Sequence, residues 1–439
     1  METSTLYDLY KQHPDVCTDS RKIKVGCIYF SLKGEAFDGN AFSIDALNKG
    51  AAYAVTDDQN LPHQKGLIKV QDGLKALQDL ASYHRHQFDI PVIGVTGSNG
   101  KTTTKELILS VLKQKYSVLA TEGNFNNHIG VPLTLFRLQP EHEIAIIEMG
   151  ASRQGEIKEL CEIADPNYAL ITNIGKAHLE TMGGLAGVLK TKTEIFDHIK
   201  EHGGNLLVHS CDRQLVKKAT GSEAYYYGAL PTDDVSGQII RNGHFVSVKW
   251  KRKTNSRPID DSPVVSTNLT GSYNLPNIMA AVATGINFGL TDEQIAKGIS
   301  SYVPSNNRSE IKTSGTNTFI LDAYNANPSS MEVALNNLMS SDGERKSVIL
   351  GEMLELGTTS AAEHRAVCQR LKTLNLKTIS LVGKQFSQLK DEFDFQFFEN
   401  VEELSEWLAS HPFKEETVLI KGSRGNRLEK AAEQLLQQS

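Results

Sequence analysis

The densest chemistry in the chain lies between Gly94 and Glu106, in GVTGSNGKTTTKE. Glycines at 94, 97 and 100 precede Lys101 and Thr102, behind an apolar stretch from Ile90 to Val95 and ahead of an amphipathic pattern. A strand, a glycine turn and a helix start make an anion site, because free backbone N–H groups and the positive end of the helix dipole face one point. A lysine in that turn reaches the β- and γ-phosphates of a nucleotide, and the adjacent hydroxyl holds Mg²⁺. The strict spacing G-x-x-x-x-G-K-[ST] would put a glycine at 95, where Val95 stands. The candidate cradle is therefore Gly97, Ser98, Asn99, Gly100, Lys101, Thr102 and Thr103, set against a tight turn that binds nothing.

A phosphate cradle of this class needs a metal-holding carboxylate at the end of a neighbouring strand. EIAIIEMG offers Glu148 after four apolar residues, and ITNIGKAHLE places His178 beyond another strand. Both fall at the carboxyl ends of strands, where open α/β sheets bind ligands. The competing readings are a surface glutamate and one structural histidine among 13.

Positioning these groups takes a sheet, and the sequence alternates accordingly. From Pro91 onward PVIGVTG, EIAIIEMG, YALITNIG and NLLVH alternate with helical patterns, which predicts a mostly parallel sheet covered on both faces. Residues 224–268, with the polar loop KRKTNSRPIDDSP, read as an antiparallel hairpin appended to it. SYVPSNNRSE reads as a linker, after which TFILDAY, SVILGE, TISLVG, QFFEN and TVLIKG resume the alternation. The expected architecture is α/β in three domains: a small unit over 1–88, a central P-loop parallel sheet over 89–304, and a Rossmann-like doubly wound sheet over 305–439.

Composition narrows the partners. With 46 basic and 52 acidic side chains among 439 residues the formal charge is −6, which argues against a general binder of nucleic acid or membrane surface. No apolar run approaches the roughly 18 residues of a membrane span. The N-terminus lacks the basic-then-apolar pattern of a signal peptide. Five scattered cysteines without a C-x-x-C pair read as reduced thiols in a cytoplasm.

TGSNGKT, GNFNNHIGVPLTL, EMG, NIGKAHLE, GSYNLPN, LDAYNANPSSM, GEMLELG and KGSRGNRLE occur in the order found in the Mur ligases, and the resemblance covers nearly the whole chain, including TDSRKIKVGCIYFSLKGEAFDGN near the start. YNANPSSM and GEMLELG resemble the branch that joins D-alanyl-D-alanine to UDP-N-acetylmuramoyl-tripeptide. The resemblance implies a cytoplasmic, monomeric ATP-dependent amide ligase using Mg²⁺ and an acyl-phosphate intermediate. It implies that Thr102 and Glu148 serve one ion and His178 a second. It matches Lys192, in LKTKTEIF, to the family's carbamate-forming lysine, with Lys190 as rival. Asn274, Arg308 and Asp322 fall on the ATP side, although Tyr273 replaces a common histidine. Tyr324, Asn325 and Asn327 face the dipeptide, Ser20 and Arg21 the uridine diphosphate, and Asn126 and Asn127 the muramoyl peptide arm. Arg21 equally suits a surface ion pair. The rival activities are another amide ligase of this superfamily, such as a folylpolyglutamate synthase, and a non-catalytic nucleotide switch.

Overall fold

The computed structural model describes residues 1–34, 37–242, 245–253, 262–305 and 308–437. Most of the polar loop expected after Lys251, and residues 306–307 of the expected linker, lie outside the described residues.

Three main sheets follow one another along the chain. The first has four parallel strands in the order Val16–Cys17, Ile28–Phe30, Tyr53–Thr56, Leu67–Lys69. The helix Gly73–Arg85 covers it, started by Asp72, whose side chain accepts from the Lys75 amide. Leu77, Leu80, Ala81 and His84 face inward at helical spacing. The same helix ties this unit to the next: Gln78 donates to the His128 carbonyl and Arg85 Nε to the Ala164 carbonyl. Apolar burial is continuous across this junction, from Leu6 and Tyr10 through Leu77 and Phe136 to Ile157.

The second sheet has nine strands. Its third strand from one edge is Val92–Thr96, flanked by Ile144–Glu148 and Tyr168–Ile171, all parallel. Val92–Thr96 and Ile144–Glu148 are buried at every position, as expected for strands covered on both faces. Lys101–Leu112 and Leu275–Asn287 pack on one face, and Glu156–Ala164 and Gly184–His202 on the other. The expectation of an appended antiparallel hairpin over 224–268 needs correction at its start. Ala224–Gly228 is a further parallel strand beside Asn205–His209, and Val235–Asn242 also runs parallel to it. Antiparallel pairing begins only with Val246–Arg252. The tyrosine run of Ala224–Gly228 packs against both layers, so its sequence lacks the plain apolar signature of a central strand.

The third sheet has six strands, in the order Glu310–Ser314, Asn317–Asp322, Thr417–Lys421, Lys346–Gly351, Thr378–Val382, Gln396–Phe398. All pairs are parallel except the first, a hairpin edge that the strand–helix alternation did not foresee. Two buried clusters, one on each face, make it doubly wound. Among the described residues no helix is long and apolar enough to cross a membrane.

Candidate active site

The carboxyl ends of Val92–Thr96, Ile144–Glu148 and Tyr168–Ile171 and the facing edge of the third sheet enclose a cleft of about 680 Å³. Its floor is the glycine turn. Gly97 has φ +142°, and a Cβ there would sit 2.0 Å from Thr172 Oγ1; Gly100 starts the helix at φ +79°. Side chains are excluded at the first and strained at the second. The turn is tied down from the next strand: Ser98 N donates to the Asn173 carbonyl, Asn99 N to Asn173 Oδ1, and Thr172 Oγ1 to the Asn99 carbonyl. Lys101 Nζ folds back onto the carbonyls of Gly97 (2.7 Å) and Ser98 (3.2 Å). Burial lowers its pKa, Glu148 opposes that shift, and Arg308 adds to it.

Glu148 lies at the bottom, 1% exposed. Its carboxylate accepts from Thr102 Oγ1 at 2.9 Å and from Asn126 Nδ2 at 2.7 Å, both neutral donors. A buried carboxylate beside a hydroxyl is a hard-oxygen pair suited to Mg²⁺. No group of three His, Cys, Asp or Glu side chains converges among the described residues.

His178 also lines the cleft, and its Nδ1 is 2.8 Å from Glu355 Oε2 of the third sheet's unit. That hydrogen bond holds the Glu355 carboxyl below its ordinary range, against the opposing effect of burial. Lys192 stands just behind the wall, 1% exposed, with Nζ 3.4 Å from the carbonyl of Ala151, which lines the cleft. Burial first, then the charge of Lys101, brings its pKa down to about 7, while Glu156 and Glu194 act in the opposite direction. Lys190, two residues away, is exposed.

The third sheet supplies the opposite wall. Asn327 caps the helix Pro328–Ser340 through its side-chain oxygen, and its Nδ2 donates to Asn99 Oδ1 in the cradle at 2.8 Å. The Arg308 guanidinium stacks 3.6 Å from the Tyr324 ring centre. Lys421 Nζ bonds Asp322 Oδ2 (2.6 Å) and the Asn325 carbonyl (3.1 Å). Asn274 lines the cleft with its amide already engaged, donating to the Thr270 carbonyl and accepting from Asn277 Nδ2. Asn277 in turn accepts from Thr104 Oγ1, which links this segment to the cradle helix. Tyr273 bonds Ser309 across the two units.

Most of the residues singled out in the sequence thus meet in one cleft. Ser98 to Thr103, Asn126, Asn127, Glu148, His178, Asn274, Arg308, Asp322, Tyr324, Asn325 and Asn327 all line it. Gly97 lies beneath it and Lys192 behind it. Ser20 and Arg21 lie apart: Ser20 is buried in the first unit, and Arg21 is exposed and paired with Asp19 at 2.8 Å. Asn173, Glu355 and Lys421 escaped the sequence reading, although they sit inside the quoted NIGKAHLE, GEMLELG and KGSRGNRLE.

Known proteins match along nearly the whole chain. The Mur ligase family catalytic domain matches residues 15–85, the Mur ligase middle domain 95–285, and the Mur ligase glutamate ligase domain 307–424. The UDP-N-acetylmuramoyl-tripeptide–D-alanyl-D-alanine ligase of Bacillus subtilis is 36% identical, over 96% of this chain and 93% of that protein. A crystal structure of MurF from Acinetobacter baumannii superposes with a TM-score of 0.85 at 31% identity, covering 96% of this chain and 93% of that one. MurF from Thermotoga maritima in complex with ADP gives 0.84 at 28% identity, covering 96% and 97%. By its match along nearly its full length to relatives above 30% identity, the chain belongs to the Mur ligase family, in the branch of the UDP-N-acetylmuramoyl-tripeptide–D-alanyl-D-alanine ligases.

Proposed function

We propose that this chain joins D-alanyl-D-alanine to UDP-N-acetylmuramoyl-tripeptide at the expense of ATP, as a cytoplasmic monomer supplying peptidoglycan precursors. One observation carries the reading: a phosphate cradle over a buried Glu148–Thr102 pair opens into the same cleft as Arg308, Asp322, Tyr324 and Asn327 of another sheet. A nucleotide and a second substrate can therefore be held face to face.

The chemistry follows from what a carboxylate lacks. It is a poor electrophile, so its oxygen first attacks the γ-phosphorus of ATP, the bond to the ADP oxygen breaks, and an acyl phosphate results. The dipeptide amine then attacks the acyl carbon, sheds a proton, and displaces phosphate. Two anions meet in the first step, so fixed positive charge is needed where they meet. Lys101 and Arg308 line that space. Bound Mg²⁺ would add Lewis-acid charge compensation at the phosphates. Thr102 and Glu148 would hold one ion; His178 and a carbamate on Lys192 would hold the second. An amine with pKa near 7 is substantially neutral at neutral pH, so Lys192 can add to CO₂, forming an N–C bond and releasing a proton.

On this reading residues 1–88 receive the uridine diphosphate through Ser20 and Arg21, and 89–304 hold ATP with Asn274 and Asp322 on its nucleoside side. Asn126 and Asn127 meet the peptide arm, and 305–439 present the dipeptide to it through Tyr324, Asn325 and Asn327. The test is phosphate release measured with each substrate omitted in turn, using a panel of UDP-muramoyl peptides. The ligase releases phosphate only with peptide acceptor and D-alanyl-D-alanine together. Release from ATP alone at the same rate would make the chain a nucleotide switch, and release with folate and glutamate a folylpolyglutamate synthase.

A further inference from the structure

The His178–Glu355 contact joins two residues 177 positions apart, and both occupy the left-handed region without being glycine, at φ +51° and +64°. Such backbone is strained and persists where the surroundings hold it. The surroundings here are specific. Lys176 Nζ reaches Glu363 Oε1 at 2.8 Å, Lys176 N donates to Ser329 Oγ, and the Glu180 side chain lies against Gly357. The loop after the strand Tyr168–Ile171 is thus seated on the third sheet's unit on both sides of His178.

The Glu355 side chain is 60% exposed, so an ion pair there contributes little to stability. Its consequence is orientation. A carboxylate only accepts, so His178 Nδ1 must carry the hydrogen, and in the neutral ring Nε2 keeps the lone pair. We propose that Glu355 is a positioning residue that fixes the tautomer and ring orientation of His178, so that Nε2 is presented as a ligand only while the third unit is docked. The arrangement is the carboxylate–histidine pairing that orients metal-binding imidazoles, here with the carboxylate supplied by a different domain. Docking and completion of the site then become one event. The activity part of this inference rests on the ligase reading above.

The experiment uses the full chain labelled with ¹⁵N-histidine, with the His178 ring assigned by comparison with H178Q. Two-bond ¹H–¹⁵N spectra should show the Nδ1–H tautomer in the wild type and a shift toward Nε2–H in E355A. E355Q retains an acceptor and should stay close to the wild type. E363Q, which breaks only the neighbouring docking pair, should leave the ring unchanged. In parallel, the Mg²⁺ concentration giving half-maximal turnover should rise about ten-fold or more in E355A and less in E355Q. An unchanged ring in E355A overturns the proposal, even if turnover falls, because the residue would then act only in docking. Equal ring shifts in E355A and E363Q overturn it for the same reason. If the wild type shows no acceptor-dependent phosphate release, the ligase reading fails, while the spectra still decide the role of Glu355.

Discussion

The two walls of the cleft are built differently. The cradle wall is bonded within its own sheet: Ser98, Asn99 and Thr172 hold one another through the segment after the neighbouring strand, and Thr102, Asn126 and Glu148 form a closed set at the floor. The third-sheet wall is ordered internally by Lys421 and Asp322, yet it meets the cradle through single contacts such as Asn327–Asn99, His178–Glu355 and Lys176–Glu363. A wall whose bonds are internal is preorganised for charge stabilisation. A wall joined by a few exposed or half-buried contacts can part and return, since each contributes on the order of 1 kcal/mol. On the proposed reading the first wall is the fixed phosphate site, and the second brings Arg308 and the substrate contacts to it by closing.

The largest effects should therefore come from the cradle wall. Lys101→Ala should lower turnover by about 10²-fold or more, with the folded structure intact by circular dichroism, because it removes fixed charge from the transferring phosphoryl group. Lys192→Ala should be nearly inactive and partly restored by a short carboxylate in the buffer, whereas Lys190→Ala, at an exposed position, should be much milder. Carbon-13 spectra of enzyme supplied with labelled CO₂ should show a carbamate signal that disappears in Lys192→Ala and persists in Lys190→Ala. Equal behaviour of the two variants would remove the distinction between the buried and the exposed lysine.

Effects on the other wall should be smaller and separable. Asn327 has two tasks, capping a helix and reaching Asn99. Asn327→Ala should cost about 1 kcal/mol of stability for the cap. It should also lower kcat/KM for the dipeptide about five-fold if the lost contact is worth about 1 kcal/mol. Asn327→Ser keeps a capping oxygen but lacks the reach, so it should regain stability in urea unfolding without regaining kcat/KM. Recovery of both would mean that the contact with the cradle is dispensable.

These distinctions were only partly legible in the sequence. The cradle was readable because its residues are consecutive, and the alternation of apolar strands with helices was readable because it repeats. Glu148 and His178 followed from their places at strand ends. The partners of these groups were not readable, since Glu355 lies 177 positions from His178 and no local pattern encodes that pairing. Asn126 was matched to a substrate arm, whereas its amide also holds the buried carboxylate. Ala224–Gly228 was hidden because a parallel strand made largely of tyrosine does not look apolar. Arg21 suits both a nucleotide contact and a surface ion pair in the sequence, and the structure pairs it with Asp19.

The smallest expected effect concerns the junction of the first two units, away from either wall. His84 is 5% exposed there, with Nε2 3.2 Å from the Leu138 carbonyl. Burial lowers its pKa below 6.5, with the Leu138 bond acting in the opposite direction. Below that value the unfolded chain takes up a proton that the folded chain refuses, so stability is full above about pH 6.5 and falls as the pH drops toward the folded value. Urea midpoints measured between pH 7.5 and 5.5 should fall in the wild type and fall less steeply in His84→Gln. Identical slopes would show that His84 does not contribute to acid sensitivity.

On the proposed reading the two walls bring a carboxylate to the γ-phosphate of ATP. The direct measurement is isotope transfer from UDP-N-acetylmuramoyl-tripeptide labelled with ¹⁸O in its reacting carboxylate. With ATP and D-alanyl-D-alanine present, mass spectrometry should find one ¹⁸O in each released phosphate and the other in the new amide. Unlabelled phosphate released alongside the amide product would contradict the acyl-phosphate route, and unlabelled phosphate without amide would contradict the ligase reading itself.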